Sequence, residues 1–397
     1  MRVSTRGALP ARGGRMRVLS WIVFVWMAAS APGFGKDLEL AVKTAKTAPI
    51  LNPLDAAWNA APGVVVPMMP QTIAPPGGGG KALSARVKAI QTEHEILFRV
   101  DWQDASVDDY PSKAENFTDA VALEFPAVLS DWPSPFMGDA ETPVVIWRWS
   151  ASAQKDLDAG YQSNSSKRPR MAADMYAYAG DATFRAAEKA GNIIANRRRI
   201  SPVENLAAKG FGTLTVMHDQ PVQGKGVRHK DRWYVVFRRS VTGTPAFLSG
   251  NRIPIALAVW DGGSRERNGI KSVSSWHSLA LADAGPRPAE DAVASGRRHY
   301  LRYGCGTCHG PEGRGGVANP NAQTNPIPAL ERVKEGFTKD EIAKVIQDGR
   351  EPARKDPNGP PPPYKMNAWK SIMDASESDA LIEYLFSLMK EDAGSEW

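Results

Sequence analysis

A chain of 397 residues with 42% hydrophobic and 23% charged residues has the material for two or three ordinary domains, and its composition is neither disordered nor fibrous. The formal charge of +6 is concentrated at the start, where Arg2, Arg6, Arg12, Arg15 and Arg17 stand with no acid among residues 1–35. From Glu290 onward the balance is −3, which excludes a broad basic face for nucleic acid.

Those arginines lead into an apolar run from Leu19 to Ala29, followed by small residues and Pro32. A charged start, a short apolar core and a small-residue exit have the form of a secretory signal peptide, placed here over residues 1–35. It predicts a periplasmic protein exported by a Sec-type route, since no Arg-Arg pair precedes the core. Ala29-Ser30-Ala31 and Gly33-Phe34-Gly35 are the two candidate exits. The run is short for a bilayer span, and an uncleaved anchor is the alternative.

Residues 36–282 carry short alternating runs. LSARVKAIQTEHEILFRVDWQD (83–104) predicts a hairpin with Leu97, Val100 and Trp102 buried. DAVALEF (119–125), TPVVIWRWS (142–150), GTLTVMH (212–218), RWYVVFRRS (232–240) and IPIALAVWD (253–261) predict further strands. Many short strands between turn signals indicate a mainly β fold, a sandwich. APPGGGG (74–80) is a loop. FRAAEKAGNIIANRRR (184–199) is a predicted helix inside a polar insertion from about 151 to 205. His94, His277 and His299 are expected to be surface or packing residues. No phosphate loop, nucleophile elbow or HExxH is present, so no catalytic residues are named.

DAGPRPAE (283–290) predicts a linker, and the pattern after it becomes helical. GCGTCHG (304–310) holds Cys305 and Cys308, the two cysteines of the chain. A disulfide is conceivable in an exported protein, but C-x-x-C-H is the attachment signature of a c-type haem. Two thiols at this spacing can bond the two vinyl groups of one haem, and His309 then faces the iron. Zinc is a poor rival, because it wants four ligands and one Cys-x-x-Cys pair supplies two. A second axial ligand is often methionine. In DPNGPPPPYKMNAW (356–369) the run Pro360 to Pro363 favours an extended segment that would carry Met366 on a loop. Met373 competes, while Met389 has the helical spacing of a core residue. Thr338 is the expected N-cap, and Gly349 the stop, of a helix in FTKDEIAKVIQDG (337–349). The order helix (292–303), CxxCH, loop, helix, Met loop, terminal helix (376–390) resembles a class I cytochrome c domain over residues 291–397. That resemblance implies covalent haem c at Cys305 and Cys308, His309 and Met366 as its axial ligands, and electron transfer.

In the front region AAWNAA, LFRVDWQD, FTDAVALEFP, PFMGD (135–139), VVIWRW, GFGTL (210–214), QGKG (223–226), RWYVVFRR, PIALAVWDG and ERNGIKSVSSWHSL (266–279) follow one another in order. Together they resemble the haem b-binding γ subunit of periplasmic molybdenum enzymes of the dimethyl sulfoxide reductase family, the ethylbenzene and dimethylsulfide dehydrogenase type. The resemblance implies a non-covalent haem b in a β-sandwich, with Met137 of PFMGD and Lys225 of QGKG as iron ligands. Met217, His218 and His229 are local rivals to Lys225. It also implies a molybdenum catalytic subunit and an iron–sulfur subunit as partners, and a further soluble or membrane-bound redox partner. The expectation is thus a dihaem electron-transfer subunit rather than a catalytic one. The alternative is a monohaem cytochrome c whose sandwich is a haem-free docking or ligand-binding module.

Overall fold

The computed structural model describes residues 38–111, 113, 115–129, 132–160 and 200–389. The expected signal peptide and the expected helix at 184–199 lie outside the described residues.

Among the described residues, a nine-stranded sheet and a six-stranded sheet form the front region. The first runs through Glu39–Ala41, His277–Ala280, Arg252–Trp260, Ala120–Pro126, Val144–Ser150, Val203–Ala208 and Thr215–Val216, with Ser272–Val273 and Met69–Pro70 attached beside Arg252–Trp260. The second runs through Gln223–His229, Arg232–Ser240, Glu95–Gln103, Ser84–Gln91 and Lys43–Thr44, with Gly63–Pro67 also on Ser84–Gln91. The hairpin expected at 83–104 forms in register, Ala85 opposite Trp102 and Gln91 opposite Ile96.

Alternate residues of a strand point to opposite faces, and both faces are covered here. Val121, Leu123 and Phe125 meet Phe98, Val100, Trp102, Val235 and Phe237 in one shared core. Phe98, Phe125, Phe237, Phe247 and Trp147 are wholly buried there, and burying each such side chain contributes about 1.5–3 kcal/mol. On the outer side of the second sheet, Leu97 and Val236 pack with Trp58 and Ala61. On the outer side of the first, Ala120, Ala122, Val144, Ile146, Ala256, Trp260 and Trp276 form a further cluster. Leu97, Val100 and Trp102 are therefore all buried, but into two different clusters.

Two segments differ from expectation. Of GTLTVMH, Thr215–Val216 is strand, because Gly210 and Gly212 turn the chain at positive φ and the Thr213 hydroxyl donates to the Gly210 carbonyl at 2.8 Å. QGKG lies within a strand, Gln223–His229. Its glycines are there for close packing: a Cβ on Gly226 would sit 2.2 Å from Trp149, and one on Gly224 2.3 Å from Val203.

The C-terminal region is helical. Asp291 caps Ala292–Arg302, its carboxylate accepting from the Ala294 N–H at 2.8 Å. Thr338 and Glu341 form a capping box on Lys339–Asp348, which stops at Gly349 with φ 70°. Asp374 and Glu377 do the same for Ala375–Ser387. Gly296 lets the first and last helices touch, since a Cβ there would lie 2.0 Å from the Ala380 carbonyl.

This region packs against the sandwich. The Trp276 N–H donates to the Arg302 carbonyl, and Arg302 Nε donates back to the Trp276 carbonyl, both at 3.1 Å. Arg302 is buried against Glu377, whose other oxygen accepts from the Tyr303 hydroxyl at 2.7 Å. Met69, Ile73, Phe136 and Val273 of the sandwich share one apolar cluster with Tyr300, Tyr303, Ile342, Ile346, Trp369 and Leu381.

Candidate haem sites

The helix Ala292–Arg302 leads through Gly304, at φ 67°, into a short helix Gly306–His309. One helical turn places His309 above Cys305, its N–H donating to the Cys305 carbonyl at 3.0 Å. Both thiols are free and join the apolar cluster of Tyr300, Tyr303 and Ile342. They keep an opening to the surface, yet their surroundings are apolar. Burial pushes Cys305 up to about 12 and Cys308 up to about 11, so both are neutral thiols. That is unlike a thiolate metal site and is compatible with thioether formation. Burial also lowers the His309 pKa, against a smaller upward pull from the Pro328 carbonyl, and Nδ1 has no hydrogen bond of ordinary geometry. A neutral imidazole is the form that binds a metal.

Met366 stands on a loop, as the proline run predicts. The Asn319 side chain holds that loop by accepting from the Tyr364 N–H and donating to the Tyr364 carbonyl, both at 3.0 Å. Met366 and Arg350 exchange two backbone hydrogen bonds, each of 3.0 Å. The Met366 side chain packs on the cluster that contains Cys305 and Cys308. Met373 is buried in the same cluster as a packing residue. Met389, expected inside the terminal helix, lies just past its end. The residues present fit a covalent haem: two thiols, a neutral histidine and a methionine on one apolar surface. We expect Met366→Ala to keep the covalent haem but lose the sulfur-to-iron charge-transfer band of the ferric protein, while Met373→Ala keeps it. Absorption spectra of the two oxidised variants check this.

Met137 occupies the tight turn of PFMGD with φ 78°, a conformation a non-glycine residue adopts rarely. Gly138 follows at φ 68°, and a Cβ there would meet the Thr142 carbonyl at 2.9 Å. Met137 packs on the outer cluster of the first sheet. The structure does not bring Lys225 to it. Lys225 projects as an exposed residue from the six-stranded sheet, opposite Val236. The lysine beside Met137 is Lys271, whose Nζ lies 4.0 Å from Met137 Sδ and 4.9 Å from the centre of the Trp260 ring. Met137 and Lys271 both keep partial exposure, so the pair lines an opening rather than a sealed core.

The surroundings of Lys271 suit an amine better than an ammonium. Burial lowers its pKa to about 8, the Glu124 charge opposing and the Arg148 charge adding to the fall. Burial raises Glu124 to about 8, against the downward pulls of Lys271 and of the Met137 backbone N–H. Glu124 Oε1 has no hydrogen-bond partner. Strand register puts Ala258 opposite Ala122, Ala256 opposite Glu124 and Trp260 opposite Ala120. Alternation puts these residues on one face, floored by alanines, while large side chains fill the opposite face. These alanines pack with Val144, Ile146, Leu206 and Trp276 beside Met137. The 4.0 Å contact brings an amine nitrogen and a thioether sulfur together, so Lys271 and Met137 are the residues that would hold a metal here. Methionine sulfur is a haem-iron donor, and a deprotonated amine has the free lone pair that a ligand needs.

The rival ligands stand elsewhere. His218 is fully exposed beside Asp219. His229 is exposed at the end of its strand. Met217 Sδ accepts from the Asn205 amide at 3.4 Å. His94 is exposed, while His277 and His299 are buried as packing residues, and no hydrogen bond reaches either ring nitrogen of His277.

The sandwich thus presents the Met137–Lys271 pair, and the helical region joined to it presents CxxCH and a loop methionine. The chain belongs to the ethylbenzene dehydrogenase family, whose model matches residues 55–272, and the cytochrome c model matches residues 293–389. Haem c is covalent in the second family, and the γ subunits of the first carry haem b. A chain of Haloferax mediterranei named as the heme subunit of a respiratory nitrate reductase is 26% identical over 246 residues, 61% of this chain and 72% of its own. The chlorate reductase subunit gamma of Ideonella dechloratans is 26% identical over 57% of this chain and 78% of its own. The dimethylsulfide dehydrogenase subunit gamma of Rhodovulum sulfidophilum is 26% identical over 60% and 78%. Among solved structures, a family 9 carbohydrate-binding module of Caldicellulosiruptor kristjanssonii aligns over 64% of this chain and all of its own at 9% identity, with a TM-score of 0.32, too low to bear on fold or function.

Proposed function

We propose that this chain is the γ-type electron-transfer subunit of an exported molybdenum and iron–sulfur oxidoreductase. Met137 and Lys271 would hold haem b, and Cys305 and Cys308 would hold haem c covalently, with His309 and Met366 available to its iron. The observation that carries the reading is the Lys271 amine, low in pKa and 4.0 Å from a methionine sulfur on a small-residue floor. When bound, the haems supply one-electron redox chemistry. The chain's residues supply the rest. Met137 and Lys271 set the b iron's ligands, and the alanine floor and Trp260 exclude water from one face. The neutral His309 and the pinned Met366 loop do the same for the c iron. The relatives named as subunits of nitrate reductase, chlorate reductase and dimethylsulfide dehydrogenase support the same class of partner: a catalytic and an iron–sulfur subunit at one end, a redox carrier at the other. Residues 1–35 support export to the periplasm.

The test is a haem inventory. Protein made in a host with cytochrome c maturation should release one haem per chain into acidified organic solvent and keep one on the denatured polypeptide. One covalent haem with nothing extractable, despite ample haem supply, would leave the sandwich as a docking module and sink the b-haem half of the proposal.

A further inference from the structure

The turn that carries Met137 is also the surface on which the CxxCH segment rests. Gly304, the residue before Cys305, has no side chain where one would collide: a Cβ would lie 2.8 Å from Phe136 Cε2 and 2.8 Å from Pro135 Cδ. Phe136, the residue before Met137, is buried in the cluster that includes Cys305 and Cys308. Ser134 fastens the two segments. Its hydroxyl accepts from the Phe136 N–H at 3.2 Å and bonds the Thr307 hydroxyl at 2.6 Å, and its carbonyl accepts from the Gly138 N–H at 3.0 Å. Thr307 stands between the two cysteines. One hydroxyl thus shapes the methionine turn and pins it to the haem c attachment helix. Trp276 adds a second brace, Nε1 donating to the Pro133 carbonyl at 2.7 Å.

We infer that the Phe136–Gly304 contact is the electron path between the two haems. The inference rests on the assignment of Met137 to haem b. From Met137 the path runs through the backbone to the Phe136 ring. It crosses one van der Waals gap to the Gly304 backbone and reaches the Cys305 thioether one residue on. Electronic coupling decays faster through space than through bonds, so a route with a single gap is favoured over routes through several packed side chains. The step moves one electron: one iron passes from ferrous to ferric as the other passes from ferric to ferrous, and no atom or proton is transferred. Phe136 is the bridging ring, and residue 304 is held to glycine by its φ of 67° and by the collision that any Cβ would make with that ring.

The experiment uses the full dihaem protein. A photoreduced flavin delivers one electron, and the b and c haems are followed separately by their visible bands. Redistribution between them appears as a first-order phase independent of protein concentration. Phe136→Leu should slow that phase several-fold with both haem spectra and both midpoint potentials unchanged, and Phe136→Tyr should restore most of the rate. Thr307→Val, which removes only the tether, should slow the same phase and serves where Phe136→Leu loses a haem. An unchanged interhaem rate in Phe136→Leu or, where that variant loses a haem, in Thr307→Val, with both haems present at wild-type potentials, would overturn this path and leave the haem b assignment standing. Wild-type protein with no b haem at all would overturn both.

Discussion

Lys271→Ala is expected to remove the extractable haem, and Lys225→Ala to leave it in place. An ordinary lysine must give up its proton before the amine can bind iron, which costs about 5 kcal/mol at neutral pH. Burial lowers Lys271 to about 8 and so reduces that cost to about 1–2 kcal/mol. Without the amine the iron keeps Met137 alone, and methionine is a weak ligand. Haem should then fall to a trace after gel filtration, with covalent haem c untouched. Lys271→His offers an imidazole from a shorter stem and should recover part of the uptake. Retention of a low-spin b haem in Lys271→Ala, with loss in Lys225→Ala, would reverse the assignment. The same argument sets a pH dependence. Haem takes the neutral amine, so binding releases the Lys271 proton. Below about pH 8 each unit of acidification makes that form about tenfold scarcer. Uptake by haem b-depleted protein should therefore weaken as pH falls from about 8 to about 6 and level off above 8.

Why Lys271 is hidden in the sequence and Cys305 is not follows from chemical locality. The haem c attachment needs two thiols and an imidazole within five residues of chain, so its spacing is visible in the text. The caps at Thr338 and Asp374 are equally local. The loop position of Met366 was legible because Pro360–Pro363 favours an extended segment. The Met137–Lys271 pair is separated by 134 residues. It meets because the strand Arg252–Trp260 pairs on one edge with Ala120–Pro126 and on the other with Ser272–Val273. Nothing near Lys271 announces that geometry. The available signal was a lysine heading the buried run Ser272–Leu281, a place where a charge costs free energy unless something uses it. QGKG was singled out by its place in the ordered resemblance, but its glycines make room for Val203 and Trp149. The burial of His277 was invisible for a related reason: its neighbours come from Arg252–Trp260 and from Arg302 across the domain contact.

Replacing both attachment residues, Cys305→Ser with Cys308→Ser, is expected to abolish covalent haem and unfold much of the region from Ala292 to Met389. The reason lies in how that region is built. Its core gathers Tyr300, Tyr303, Ile342, Ile346, Trp369, Leu381, Ile382 and Leu385 around the two thiols and Met366. About a hundred residues of short helices and long loops bury little apolar surface by themselves. A group bound only by the folded state adds its binding free energy to folding. Without haem, the half-buried His309 ring and the Met366 sulfur on its loop lose the iron that they would meet. The front sandwich should survive, because its core of Phe98, Phe125, Trp147, Phe237 and Phe247 is independent of that region. Far-UV circular dichroism should thus lose helical signal while strand signal persists, and limited proteolysis should cut between Ala284 and Pro288. The single variant Cys308→Ser, with one thioether left, should fall between these limits: less covalent haem and a lowered melting temperature for the helical region. A double variant that kept full helical content without haem would show that the cytochrome region holds itself together through its contact with the sandwich, through Trp276, Arg302 and Phe136, and not through its cofactor.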